Sequence, residues 1–155
     1  SAEWAGRMGV NLMSSTLLTE DRGLPFDELQ AQQIDAFREA WRGAGHAGEP
    51  RVSVSRSIFP ITTAEDEMYF GGRQDGDGVG YIDGMRSTFG KTYAGAPDVL
   101  VDQLLADAAV QSADTLMLTI PSQLGVAFNL RIVEAFATHV APALGWKSTR
   151  DTVTA

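Results

Sequence analysis

Hydrophobic positions along this chain follow two rhythms, one fitting helices and one fitting strands. Trp4, Ala5 and Met8 form a short helical stripe over residues 2–8 that Gly9 ends. Val10-Asn-Leu-Met13 is too short for a helix and reads as a buried strand running into polar Ser14-Ser15-Thr16. After a loop through Gly23, Pro25-Phe26-Asp27 opens a helix with acids in its first turn, where the helix dipole favours them. Phe26, Leu29, Ile34, Phe37 and Trp41 give that helix an apolar stripe, and Gly43 and Gly45 end it. Residues 51–59, from Arg51 to Phe59, alternate at period two before Pro60 and predict a strand.

Farther along, Thr63 stands where an N-cap is expected, before Ala-Glu-Asp-Glu67. Residues 71–84 are rich in Gly and Asp and read as a mobile surface excursion, with a weak helical signal over Tyr81 to Phe89. A short extended piece at 91–95 runs into a helix opened by Pro97, expected to span 97–111 and to bury Leu100, Val101, Leu104, Leu105 and Ala108. Thr115-Leu-Met-Leu-Thr-Ile120 predicts a buried strand ending at Pro121. A helix over 129–144 spaces Leu130, Val133, Ala137, Val140 and Leu144 three or four apart and stops near Pro142. Residues 147–155 read as a polar, frayed tail.

Strand followed by helix, four times over, is the repeating unit of parallel α/β architectures, whose chemistry collects at the C-terminal ends of the strands. A complete (β/α)8 barrel needs about 250 residues. Four βα units in 155 residues therefore predict an α/β fold, the C-terminal half of a TIM barrel over 1–146, with a Gly/Asp-rich insertion.

Composition narrows the function. A formal charge of −8 without a Lys/Arg cluster argues against nucleic acid. The absence of Cys excludes disulfides, thiolate zinc sites and Cys nucleophiles. No apolar run approaches the roughly 20 residues that cross a bilayer, and no leader-like pattern opens the chain, so the expectation is a cytoplasmic protein without a membrane partner. Ser1-Ala-Glu-Trp4 lacks an initiator Met, which reads as processing or as a cut within a longer protein.

Candidate chemistry lies at the strand ends. Ser14, Ser15 and Thr16 offer hydroxyls to a cofactor, or form an ordinary strand–loop junction. Arg56 suits a bidentate clamp on a phosphate or anionic substrate, with pairing to Glu65 or Asp66 as the alternative. Thr119, Pro121 and Gln123 close the last strand, and Gln123 is a second substrate-binding candidate. Residues 75–86 share acids and Gly80 with a calcium loop. Val79 and Arg86 stand where ligands belong, so a flexible loop is expected. His46 reads as solvated and His139 as a packing or capping residue; two isolated His make no metal site. Glu20 and Asp21 read as a solvated turn, and no G-x-S-x-G elbow is present.

Three stretches, by their order and spacing, resemble the C-terminal part of the bacterial-luciferase-like family of flavin-dependent monooxygenases. They are Ala2-Glu-Trp-Ala-Gly-Arg-Met-Gly9 with the strand to Met13, Tyr93-Ala-Gly-Ala-Pro-Asp-Val99, and Leu130-Arg-Ile-Val-Glu-Ala-Phe-Ala137 with Val140-Ala-Pro142. The resemblance implies a barrel that binds reduced FMN, or in some relatives F420, and uses oxygen to oxidise a small organic substrate. It implies Ser1 at the end of the phosphate-binding loop and Met13, Ser14 and Ser15 bordering the flavin. It further implies a lid in the insertion, a missing N-terminal half of the barrel as partner, and negligible turnover by this portion alone. A flavin reductase as electron donor is left open. The alternative is a non-catalytic half-barrel whose open edges predict a homo-oligomer, two copies closing each other's barrel.

Overall fold

The computed structural model describes residues 1–18, 23–72, 76–82 and 85–147. In chain order its elements are α1 (Ala2–Met8), β1 (Leu12–Met13), β2 (Leu17–Leu18), α2 (Phe26–Gly43), β3 (Val52–Arg56), β4 (Ile58–Pro60) and α3 (Ala64–Phe70). They continue as β5 (Gly78–Ile82), β6 (Met85–Phe89), β7 (Tyr93–Gly95), α4 (Pro97–Ala106), α5 (Ala108–Ser112), β8 (Thr115–Leu118) and α6 (Gly125–Ala135).

The two N-terminal helices pack through small residues. Ala2, Ala5 and Gly6 are the buried residues of α1, and a Cβ on Gly6 would lie 2.4 Å from the Phe37 carbonyl oxygen of α2. Only a residue without a side chain permits that approach. Of the expected Trp4–Ala5–Met8 stripe only Ala5 is buried; Trp4 and Met8 are 59% and 58% exposed, because close packing selects the small face. On α2 the whole predicted stripe is buried, together with Gln30. Ile34, Phe37 and Trp41 meet Val52 and Val54 of β3 and Ala109 of α5.

β1, β3 and β8 form one parallel sheet in that order. β4 continues β3 beyond Ser57 and pairs in parallel with β7. Carbonyl alternation shows which edge β7 takes. Arg51 and Ser53 accept from Leu12 and Ser14 on the β1 side, whereas Val52 and Arg56 accept from Asp114 and Thr119 on the β8 side. Ser57, odd like Arg51 and Ser53, accepts from Tyr93, which puts β7 on the β1 edge, farther along the strand. The four expected strands are present and parallel, but β7 belongs to a separate two-stranded pair.

Leu12, Val52, Val54 and Leu116 face the helices, so alternation turns Met13, Ser53, Thr115 and Met117 to the opposite face. There Met13 is 60% and Met117 41% exposed. Toward the C-terminal end of the strands, Phe59 stacks on Phe70 at 4.3 Å between ring centroids. Ile132 of α6 joins this cluster.

Three further expectations are corrected. Residues 78–82 and 85–89 form an antiparallel hairpin, not a helix over 81–89, and β6 also pairs with β2, which supplies a third strand. The 97–111 helix breaks at Asp107, whose extended backbone and carboxylate cap α5 through the Val110 N–H. The break shifts the helical phase, so Ala109 is buried in place of Ala108, and Leu105 is exposed. In the last helical segment Ile132, Val140 and Ala141 are buried, while Leu130 and Val133 are exposed. A π turn at Phe136–Val140 and a 3-10 turn at Ala141–Leu144, containing Pro142, shift its phase. The calcium-loop acids Asp75 and Asp83, the pair Glu20–Asp21 and the tail from 148 onward lie outside the described residues.

Candidate functional site

The parallel strands point their C-terminal ends the same way, so the residues that follow them share one rim. β1 ends at Met13, and Ser14 donates its N–H to Ser53 O at 2.9 Å. The chain then leaves the sheet. Ser14 is buried and its Oγ has no hydrogen-bond partner. Ser15 is exposed, and its Oγ accepts from Leu17 N at 3.2 Å. Across the sheet, Ser55 Oγ and Thr119 Oγ1 are 2.8 Å apart.

Arg56 lines a cavity of about 210 Å³ with Asp107, Tyr93 and Lys91, and two others gather several of the predicted residues. One, of about 50 Å³, is lined by Thr16, Ser55, Arg56, Ser57, Lys91 and Thr119 among others. The other, of about 700 Å³, brings Ser1 and Ser15 together with Arg7 and Leu17. Gln123 is exposed in the 3-10 turn Ser122–Leu124 and lines neither. Met13 lies on the exposed sheet face beside the rim.

Arg56 is the most constrained residue here. Its side chain and that of Asp107 are 2% and 0% exposed. Nε donates to Asp107 Oδ2 at 2.8 Å and Nη2 to Asp107 Oδ1 at 3.0 Å, a bidentate pair. Nη2 also donates to Gln30 Oε1 at 2.8 Å, and Nη1 to Ser55 O at 2.9 Å. The guanidinium lies 5.6 Å from the centroid of Phe26. Tyr93 completes the group by donating its hydroxyl to Asp107.

Electrostatics follow from that packing. Burial opposes charge on Arg56, but the hydrogen bond and charge of Asp107 outweigh it and hold the guanidinium above its ordinary value. Burial likewise opposes the Asp107 carboxylate, yet bonding to Arg56 leads the effects that bring it below the usual range. Burial, reinforced by Asp107, pushes the Tyr93 hydroxyl well up. At neutral pH the site therefore holds one cation and one anion side by side, with a protonated phenol. Among the described residues, four of the five guanidinium N–H groups make hydrogen bonds, and the fifth lies on Nη1.

The sequence offers Arg56 as a clamp for an anionic ligand, with pairing to Glu65 or Asp66 as the alternative; its bidentate partner is instead Asp107. Glu65 and Asp66 instead meet Arg131, at 2.7 and 3.5 Å. Asp66 also closes a capping box with Thr63, confirming that cap. His46 is corrected too: Nε2 lies 2.9 Å from Arg7 O, and the ring packs 5.0 Å from Trp41 and against Gly9. His139 is exposed, in the last turn of the Phe136–Val140 segment. Among the described residues no group of three or more His, Asp or Glu is placed to hold a metal.

Sequence reasoning missed Gln30, Tyr93 and Asp107 as site residues. A polar Gln interrupting the apolar face of α2 was the available signal.

No family model matches the chain, and no curated protein matches it. A solved structure with a similar fold is the monooxygenase RslO1 from Streptomyces bottropensis, at 16% identity and a TM-score of 0.58. The likeness covers 93% of this chain and 45% of that one, so the chain spans under half the length of this neighbour. Among the described residues no helix is long and apolar enough to cross a membrane.

Proposed function

We propose that the chain is the C-terminal part of a (β/α)8-barrel, flavin-dependent monooxygenase of the luciferase-like kind, acting in the cytoplasm on a small organic substrate. The observation that carries this reading is the fold likeness to a monooxygenase over nearly the whole chain but under half of that neighbour. The exposed sheet face agrees with it. Parallel sheets are ordinarily covered on both faces, and the exposure of Met13 and Met117 on one face supports a further layer there.

The rim chemistry fits a phosphate-bearing flavin in part. Ser15 and Thr16 supply hydroxyls, Lys91 a cation whose ammonium lies 4.9 Å from the Tyr93 ring centroid, and Ser14 a buried hydroxyl without a partner. When bound, reduced FMN would supply two electrons to oxygen, one atom of which enters the substrate while the other leaves as water; F420 in a related chemistry would instead accept a hydride from the substrate. This chain's share is to hold the cofactor at Ser14–Thr16 and to form one wall of the pocket with Ser55, Ser57 and Thr119. Arg56, largely committed to Asp107, serves that wall mainly as a buried support. Gln123 is the outermost candidate for substrate contact.

The test is titration of the full-length protein with FMN and with F420 under reducing conditions. Saturable binding of one is expected; binding of neither refutes the reading. The same exposed face also suits a non-catalytic module closed by a second copy. Coding sequence upstream of Ser1 holding four more βα units favours the enzyme, and its absence favours the module.

A further inference from the structure

Gln30 is fully buried in the middle of α2, on a face otherwise made of Phe26, Leu29, Ile34, Phe37 and Trp41. A buried amide is costly unless both of its ends are bonded, and Leu or Met would fill the same volume without that demand. Both ends are bonded. Oε1 accepts from Arg56 Nη2 at 2.8 Å, and Nε2 donates to the Ser15 carbonyl at 2.9 Å. The orientation is fixed by chemistry: a guanidinium only donates and a carbonyl only accepts, so a flipped amide would lose both bonds.

Ser15 stands just past the last ladder bond of β1, Ser14 N to Ser53 O, and before β2 joins β6. Between those points the Gln30 amide ties the main chain to the helix layer. On its other side it is held by Arg56, itself locked to Asp107 and, through Asp107, to Tyr93. We infer that Gln30 is a positioning residue. It transmits the fixed placement of the Arg56–Asp107–Tyr93 group to the Ser14–Thr16 turn and so sets where the rim hydroxyls meet a bound ligand. This rests on the reading that a flavin binds beside that turn.

Gln30→Glu separates the two bonds, because a carboxylate still accepts from Arg56 but presents an oxygen to the Ser15 carbonyl. In the full-length protein three quantities are read: melting temperature, hydrogen exchange of the amides at 15–18, and the Kd for FMN. Gln30→Glu is expected to melt lower than wild type, because its second carboxylate oxygen is buried against the Ser15 carbonyl, to exchange several-fold faster at 15–18 while still folded, and to bind FMN about tenfold more weakly, since small displacements of positioning groups cost that much or more. A folded Gln30→Glu protein with wild-type exchange at 15–18 and a Kd within twofold of wild type overturns the inference. Gln30→Met, neutral and of similar volume, takes its place with the same readings should Gln30→Glu fail to fold. If the wild type binds no FMN, the functional reading falls, and the exchange at 15–18 still decides whether Gln30 holds the turn.

Discussion

Asp107→Asn is the substitution with the largest expected effect, because one carboxylate serves three partners. It accepts two bonds from Arg56, one from the Tyr93 hydroxyl and one from the Val110 N–H. Both side chains of the ion pair are essentially out of water, at 2% and 0% exposure. Removing the negative charge leaves a buried guanidinium uncompensated, which costs about 3–5 kcal/mol. Asn keeps one acceptor oxygen, so the α5 cap survives or is lost at a further cost of about 1 kcal/mol. Against a typical domain stability of about 5–15 kcal/mol, that is a large share. Urea unfolding of the full-length protein at neutral pH, followed by circular dichroism, measures the difference. The companion Arg56→Met/Asp107→Asn removes the stranded charge and is expected to be more stable than Asp107→Asn alone, since an apolar replacement of a buried pair is often near neutral. A loss below about 1 kcal/mol in the single variant would refute the buried-pair account. So would a double variant less stable than the single one.

Four further outcomes follow from the same structure. Asp107 sits below its ordinary value in the fold, so its contribution is complete above the unfolded carboxylate range and is lost as pH falls through the lowered value. Unfolding on acidification should therefore steepen below about pH 4 in wild type and flatten in Asp107→Asn, as read by denaturant midpoints across pH. Thr63→Ala breaks the capping box and should cost about 1 kcal/mol in the same unfolding assay. Gly90→Ala drives a Cβ to 2.9 Å from the Phe26 ring and should destabilise by about 1–3 kcal/mol, with Phe26→Leu recovering part of the loss. Asp77 accepts from Phe26 N at 2.7 Å and Lys91 N at 3.3 Å, pinning the hairpin root to the start of α2. Asp77→Ala should speed amide exchange across β5 and β6 severalfold, and unchanged protection there would show that the pairing with β2 suffices.

What could be read from the sequence was what local chemistry decides. The α2 stripe, the Thr63 cap and the period-two run at 51–59 each depend on neighbours within a few residues, and all three are present. The parallel direction of the strands was legible from their alternation with helices. The buried ion pair was not, because Arg56 and Asp107 are 51 residues apart and only the fold brings them together. Asp107 also hid the break in the helix, since an Asp inside an apolar run reads as a solvated helical position until its backbone turns extended. Trp4, Leu130 and Val133 were assigned to a core by spacing alone. Spacing finds the apolar face of a helix but does not say whether an element in the same chain covers it.

The edge shared by β1 and β7 explains why the rim exists. Two segments compete for one row of hydrogen-bonding groups, and Tyr93–Gly95 holds the portion beyond Ser57. β1 ends where that row passes to other partners: the Ser55 carbonyl accepts from Arg56 Nη1 and the Ser57 carbonyl from Tyr93 N, and Ser14–Thr16 leave the sheet as a turn. The hydroxyl-bearing residues therefore stand at the point where one strand edge changes hands, clear of the ladder on either side of it.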